Sequence, residues 1–111
     1  MKRNKLLITT ANHVDGHRVA EHLGLVRGIV VRSPGFARGV VGSLRSLFQG
    51  NITQFETVCE TAREQATERM VEHATRLGAD AILAMRYDAT EFSAGITEVL
   101  AYGTAVRLVG E

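Results

Sequence analysis

The sequence has a single cysteine, Cys59, so an intrachain disulfide is impossible and one chain cannot build a cysteine-rich zinc site. That usage fits a reducing compartment. It also lacks any excess of one charge, since thirteen Lys and Arg stand against twelve Asp and Glu and leave a formal net charge of +1. The arginines are spread along the chain, so the clustered cations on which binding to nucleic acid or anionic lipid draws are missing. Long hydrophobic runs are absent too. After the basic start MKRNK, the apolar run over residues 6–8 gives way to polar residues. A secretory core needs roughly 7 to 15 apolar residues and a membrane span about 20. A cytoplasmic protein with neither nucleic acid nor membrane as partner is therefore expected. There is no internal repeat and no low-complexity linker, and 111 residues suffice for one domain, residues 1–111. The 45 % hydrophobic and 23 % charged content is that of an ordinary globular chain.

The order of elements follows from local signals. Residues 6–10 read as a short strand, and the Asp15-Gly16 pair after it favours a tight hairpin, because glycine accepts positive φ. Residues 18–32 read as a long strand, with Gly24 and Gly28 marking bulges or close backbone approaches. Pro34 and Gly35 end it. The spacing of Phe36, Val40, Leu44, Leu47 and Phe48 predicts a short helix over residues 36–48. Thr53 and Glu56 then form the Thr-x-x-Glu pattern of a capping box, so a long helix is expected to start at about Gln54. Its apolar stripe is Phe55, Val58, Cys59, Ala62, Ala66, Met70, Ala74 and Leu77, and Gly78 stands where a left-handed C-cap ends it. A third strand follows from about residue 81, a turn falls around residues 93–95, and a fourth strand spans residues 96–109. The expected fold is α+β: a two-layer β-β-α-α-β-β subunit with an antiparallel sheet of two hairpins and one long helix.

Three of the four strands are apolar on both faces. In the third, Ala81, Leu83, Met85 and Tyr87 would point one way at a period of two, and Ile82 and Ala84 the other. In the second, Val19, Leu23, Leu25, Ile29 and Val31 oppose Ala20, Val26 and Val30. In the fourth, Leu100, Tyr102, Val106 and Leu108 oppose Val99, Ala101, Gly103 and Ala105. A sheet with one solvated face alternates apolar and polar residues, and these strands do not. The long helix covers one face. Another copy of the chain is the simplest cover for the second, so a homo-oligomer is expected.

The residues that carry this pattern also resemble a known family. LGLVRG in the second strand, FETVCETAREQATERMVEHATRLGADAILAMRYD from the long helix into the third strand, and YGTAV in the last strand are similar to the YbjQ family. These are small bacterial proteins of unestablished function, labelled "putative heavy-metal-binding". The resemblance spans about residues 7–109 and implies a ring-shaped homopentamer of two-layer α+β subunits. It departs from the family pattern ahead of the long helix, where FQGNITQF stands in this chain.

No motif assigns a reaction. The densest group of ligand-type residues is HVDGH, in which His13, Asp15 and His17 offer imidazole and carboxylate donors suited to a divalent transition metal such as zinc, nickel or copper. Turn formation by Asp15 and Gly16 with solvated histidines explains the same residues. Cys59 on the apolar stripe reads as a small buried hydrophobe and not as a reactive thiol. His22 and His73 could line a subunit interface. Arg38 and Arg45, within PGFARGVVGSLRS, could meet an anion, but the segment has neither a P-loop nor a dinucleotide-binding glycine pattern, and packing of its small residues accounts for it. Glu91 and Glu98 fall near the last hairpin as a solvated rim. The expected function is that of an oligomeric binding protein with a metal as the candidate ligand. Its competitors are a structural or protein-interaction module with no small ligand, and an enzyme whose pocket forms between subunits. Symmetry keeps the metal reading open, because one histidine per chain becomes several around an axis.

Overall fold

The computed structural model describes residues 6–32, 52–93 and 96–110. Within them lie β1 (Leu7–Ile8), β2 (His17–Arg32), the helix α1 (Ile52–Arg76), β3 (Ala81–Ser93) and β4 (Ile96–Gly110). The expected helix over residues 36–48 lies outside the described residues. The four strands form one sheet in the order β1-β3-β4-β2, with α1 packed on one face.

The α+β class holds, but the sheet is mixed and has one long hairpin, not two. β3 and β4 pair antiparallel, as do β2 and β4, whereas β1 runs parallel to β3, with Leu7 opposite Ala81 and Ile8 opposite Ile82. Asp15 and Gly16 do form a tight turn, closed by His17 N–H donating to the Val14 carbonyl at 3.1 Å, with Gly16 at φ +78°. That turn does not join paired strands. Residues 9–16 instead cross from the β3 edge of the sheet to the β2 edge, and on the way Val14 packs against Ala81, Leu83 and Val106. A direct hairpin would have left those three residues without that cover.

α1 begins at Ile52, two residues before the expected start, and ends where Gly78 takes φ +82°. His73 and Arg76 occupy its last turn, where cations complement the carbonyl end of the helix. Ala62, Ala66, Met70 and Ala74 are buried as their spacing requires, but Leu77 is 41 % exposed and Cys59 is exposed. Among the described side chains, the burying stripe thus leaves out two members of the apolar one. It fits closely because the partners are small on both sides: Ala101 and Ala105 of β4 lie in the same core cluster as Ala66 and Ala74. At Gly28 a Cβ would collide with the Ala66 carbonyl oxygen and stand 2.5 Å from the Met70 nitrogen, so the helix backbone rides directly on this strand. Gly24, at φ +112° beside a register shift between His22 and Gly24, is a bulge.

Two bulges also re-phase the faces. In β3, Ala84 has φ +54°, a left-handed conformation for a residue with a side chain, at a register shift between Leu83 and Arg86. Donation of its N–H to the Ala11 carbonyl (2.8 Å), and of the Met85 N–H to the Thr9 carbonyl (3.0 Å), holds it there. In consequence Ala81 and Leu83 face away from α1 while Ile82 and Met85 face it, which divides the strand differently from a strict period of two. In β2, Leu23 joins the helix-side core with Val26 and Val30, whereas Val19 packs on the other face. β4 keeps the expected division, with Ala101 and Ala105 under the helix and Val106 and Leu108 opposite.

Candidate functional site

The turn at residues 13–17 is the first place to look for a ligand. His13 Nε2 lies 3.3 Å from Asp15 Oδ1, with the two side chains 74 % and 99 % exposed. His17 sits on the far side of the turn, its Nδ1 3.2 Å from the Asp15 carbonyl oxygen. That oxygen can only accept, so a hydrogen bond there uses the Nδ1 proton, and in the neutral ring it leaves Nε2 as the acceptor or ligand atom. The turn therefore brings His13 to the Asp15 carboxylate and His17 to the Asp15 backbone. Among the described residues no three His, Cys, Asp or Glu side chains converge closely enough to hold a metal ion. One chain thus offers a two-donor pair at this turn.

The remaining candidates are dispersed. Arg38 and Arg45 lie outside the described residues. Cys59 is exposed on α1, contrary to the expected burial. Glu91 stands opposite Thr97 and Glu98 opposite Thr90, which sets the two carboxylates on opposite faces and leaves no acid pair. His22 is exposed.

His73 has a definite role that spacing did not disclose. β2 is an edge strand, so alternate backbone groups point outward with no strand to meet them. The Arg27 N–H donates to His73 Nδ1 at 3.3 Å, and Arg69 donates to the Ile29 carbonyl at 2.5 Å. Two helix side chains one turn apart thereby cap two outward groups of the strand. Beside them a groove of about 440 Å³ is lined by the β2 backbone at Gly28 and Ile29 and by Arg69, Glu72, His73 and Arg76. A signal for this was present in the sequence: Arg69, Glu72, His73 and Arg76 recur at steps of three and four along the helix and share one flank. A smaller polar set joins α1 to β3, where the Tyr87 hydroxyl lies 2.8 Å from Thr67 Oγ1 and the Arg63 guanidinium stands 5.7 Å from the Tyr87 ring centre.

The architecture defined by these elements is a two-layer α+β subunit with a four-stranded mixed sheet, and among the described residues no helix is long and apolar enough to cross a membrane. Residues 6–109 match the model of the YbjQ family, described as "Putative heavy-metal-binding", and the chain belongs to that family. It is 53 % identical over 102 residues to a UPF0145 protein of Chromobacterium violaceum, covering 92 % of this chain and 87 % of that one. It is 52 % identical over 103 residues to a UPF0145 protein of Burkholderia mallei, covering 93 % of each. A crystal structure of a protein of unknown function from the DUF74 family of Pediococcus pentosaceus shares the fold, with a TM-score of 0.58 and 16 % identity over 94 % of this chain and 98 % of that one.

Proposed function

We propose that this chain is a self-assembling binding protein, whose copies join into a ring and whose ligand is a divalent transition metal. The observation that carries the assembly is the exposure of apolar side chains on β2, where Leu25 is 59 % and Val31 is 52 % exposed. Both lie on the face away from α1, in register with Thr104 and Glu98 of β4, and alternate with the buried Val26 and Val30. Apolar residues gathered on one strand face are ordinarily covered, and a second copy of the chain is a cover that is always available. The five-membered ring expected from the family resemblance is the form proposed here.

The metal reading is supported by the His13–Asp15 approach and by the description attached to the family. Two donors per chain make a weak site alone, and repetition around a ring supplies more. Light scattering coupled to size exclusion tests the assembly, with a stable multiple of 12.1 kDa expected; a monodisperse monomer at micromolar concentration would refute it. Calorimetric titration with zinc tests the ligand. Saturable binding should disappear in the His13→Ala/His17→Ala variant, and unchanged affinity there would remove these residues from the site.

A further inference from the structure

Cations outnumber carboxylates in the groove beside β2. Arg69, Glu72, His73 and Arg76 form its helix wall, and Glu72 is the sole carboxylate among the described residues that line it. Glu72 stands four positions before Arg76, the spacing at which acid and base ordinarily pair on a helix. Among the described residues, however, neither takes part in an ion pair, and nor does Arg69. Two guanidiniums thus border a concavity with no described carboxylate bound to either. Its volume of about 440 Å³ lies inside the range of roughly 300–1,000 Å³ typical of small-molecule sites.

The backbone and two of the side chains are ordered before any ligand arrives. A Cβ at Gly28 would stand 2.8 Å from that of Arg69, so the bare glycine lets the root of the Arg69 side chain lie against the strand. Arg69 uses one of its guanidinium N–H donors on the Ile29 carbonyl, which fixes the planar fork and leaves the other donors for a ligand. The Arg27 N–H can only donate, so its bond to His73 uses the Nδ1 lone pair, and in the neutral ring the proton then sits on Nε2 as a further donor. Donors already held in place lose less freedom on binding than mobile ones.

We propose that this groove binds the phosphate group of a small phosphorylated molecule, with the Arg69 and Arg76 guanidiniums and the His73 Nε2–H as donors. A guanidinium fork takes two phosphate oxygens at once. A carboxylate would satisfy one fork, whereas phosphate has acceptors enough for both forks and the imidazole. The groove is larger than a phosphate group, and the backbone at Gly28 and Ile29 is left to meet the rest of the ligand. The site is separate from the turn at residues 13–17, and it rests neither on the metal reading nor on self-assembly.

Calorimetric titration of the full chain with ribose 5-phosphate at constant ionic strength tests this, with inorganic phosphate and ribose as separate arms. The ester should bind saturably at one site per chain, inorganic phosphate more weakly, and ribose not at all. Arg76→Gln should weaken the ester by about tenfold or more, since it removes a charge-assisted donor. Glu72→Gln, which takes the like charge out of the wall, should tighten inorganic phosphate by about threefold. Arg63→Gln makes the same change of charge on α1 outside the groove, beside Tyr87, and should leave the ester within about twofold of the parent. All three positions are exposed, so the variants should keep the fold, which circular dichroism checks. The site is overturned by an ester that does not saturate, by an Arg76→Gln variant of parental affinity, by equal loss in Arg63→Gln, or by weaker phosphate binding in Glu72→Gln. Inorganic phosphate or ribose that binds as tightly as the ester would overturn the assignment to a phosphorylated molecule.

Discussion

Glycine and alanine decide more of this molecule than its larger side chains do. At Gly28 the helix backbone occupies the space a methyl group would need, so Gly28→Ala must push α1 off the sheet. Overpacking of this kind costs about 1–3 kcal/mol. Urea denaturation should register that loss, whereas Gly110→Ala, with open space around its Cβ position, should stay within about 0.5 kcal/mol of the parent. Ala84 supplies a second case. Its positive φ is a cost of roughly 1–2 kcal/mol for a residue with a Cβ, which glycine would relieve at some entropic expense. Ala84→Gly should therefore leave stability within about 1 kcal/mol of the parent, and the β-branched Ala84→Val should lose about 2 kcal/mol or more. Thermal melts of the three proteins order them directly. At Cys59 the exposed thiol should react with a thiol reagent in the native state at nearly the rate seen in denaturant, and Cys59→Ala should change stability by less than about 0.5 kcal/mol. Strong native protection would show that another subunit covers that part of α1.

Among the elements, β1 is the shortest and holds more than its length suggests. Its two residues and the segment after them make four backbone bonds to the β3 side: Leu7 to Asp80, Thr9 to Ile82, and in return Ala84 to Ala11 and Met85 to Thr9. These bonds close the β3 edge and fix the bulge that turns Met85 into the core. Thr9→Pro removes one donor and restricts the chain beside it, and should cost about 1–3 kcal/mol. Hydrogen exchange checks the wider consequence. In the parent the Ala84 and Met85 amides should be protected, and in the Thr9→Pro variant both should exchange faster while the β2–β4 ladder is unchanged. If the ladder loosens equally, β1 and the main sheet form a single cooperative unit.

For the whole molecule, the main expectation concerns the apolar face that one chain leaves open. Leu25→Glu together with Val31→Glu places two charges where the proposed cover sits, so the assembly should fall to lower mass with the secondary structure retained. Light scattering and far-ultraviolet circular dichroism on the same sample distinguish this from unfolding. An assembly of unchanged mass would move the interface off β2.

The sequence by itself determined the elements whose signals are local. Steps of three and four residues marked α1 from Ala62 to Ala74, Gly78 ended it, and the turn residues marked Asp15-Gly16, because backbone conformation and side-chain period are properties of adjacent residues. It also fixed the family, through motifs spread over nearly the whole chain. Tertiary structure alone decided which strand lies beside which. No local feature of Leu7 and Ile8 distinguishes pairing with β2 from parallel pairing with β3, and the choice is settled by the need to cover Ala81, Leu83 and Val106, to which the crossing segment brings Val14. The faces of β3 were likewise illegible, since one inserted residue at Ala84 reverses every side chain after it, and that residue is held by carbonyls more than seventy positions earlier in the chain. The site followed the same division: the turn at His13, Asp15 and His17 was readable, while the capping of β2 by Arg69 and His73 depended on β2 being an edge, which only the strand order establishes.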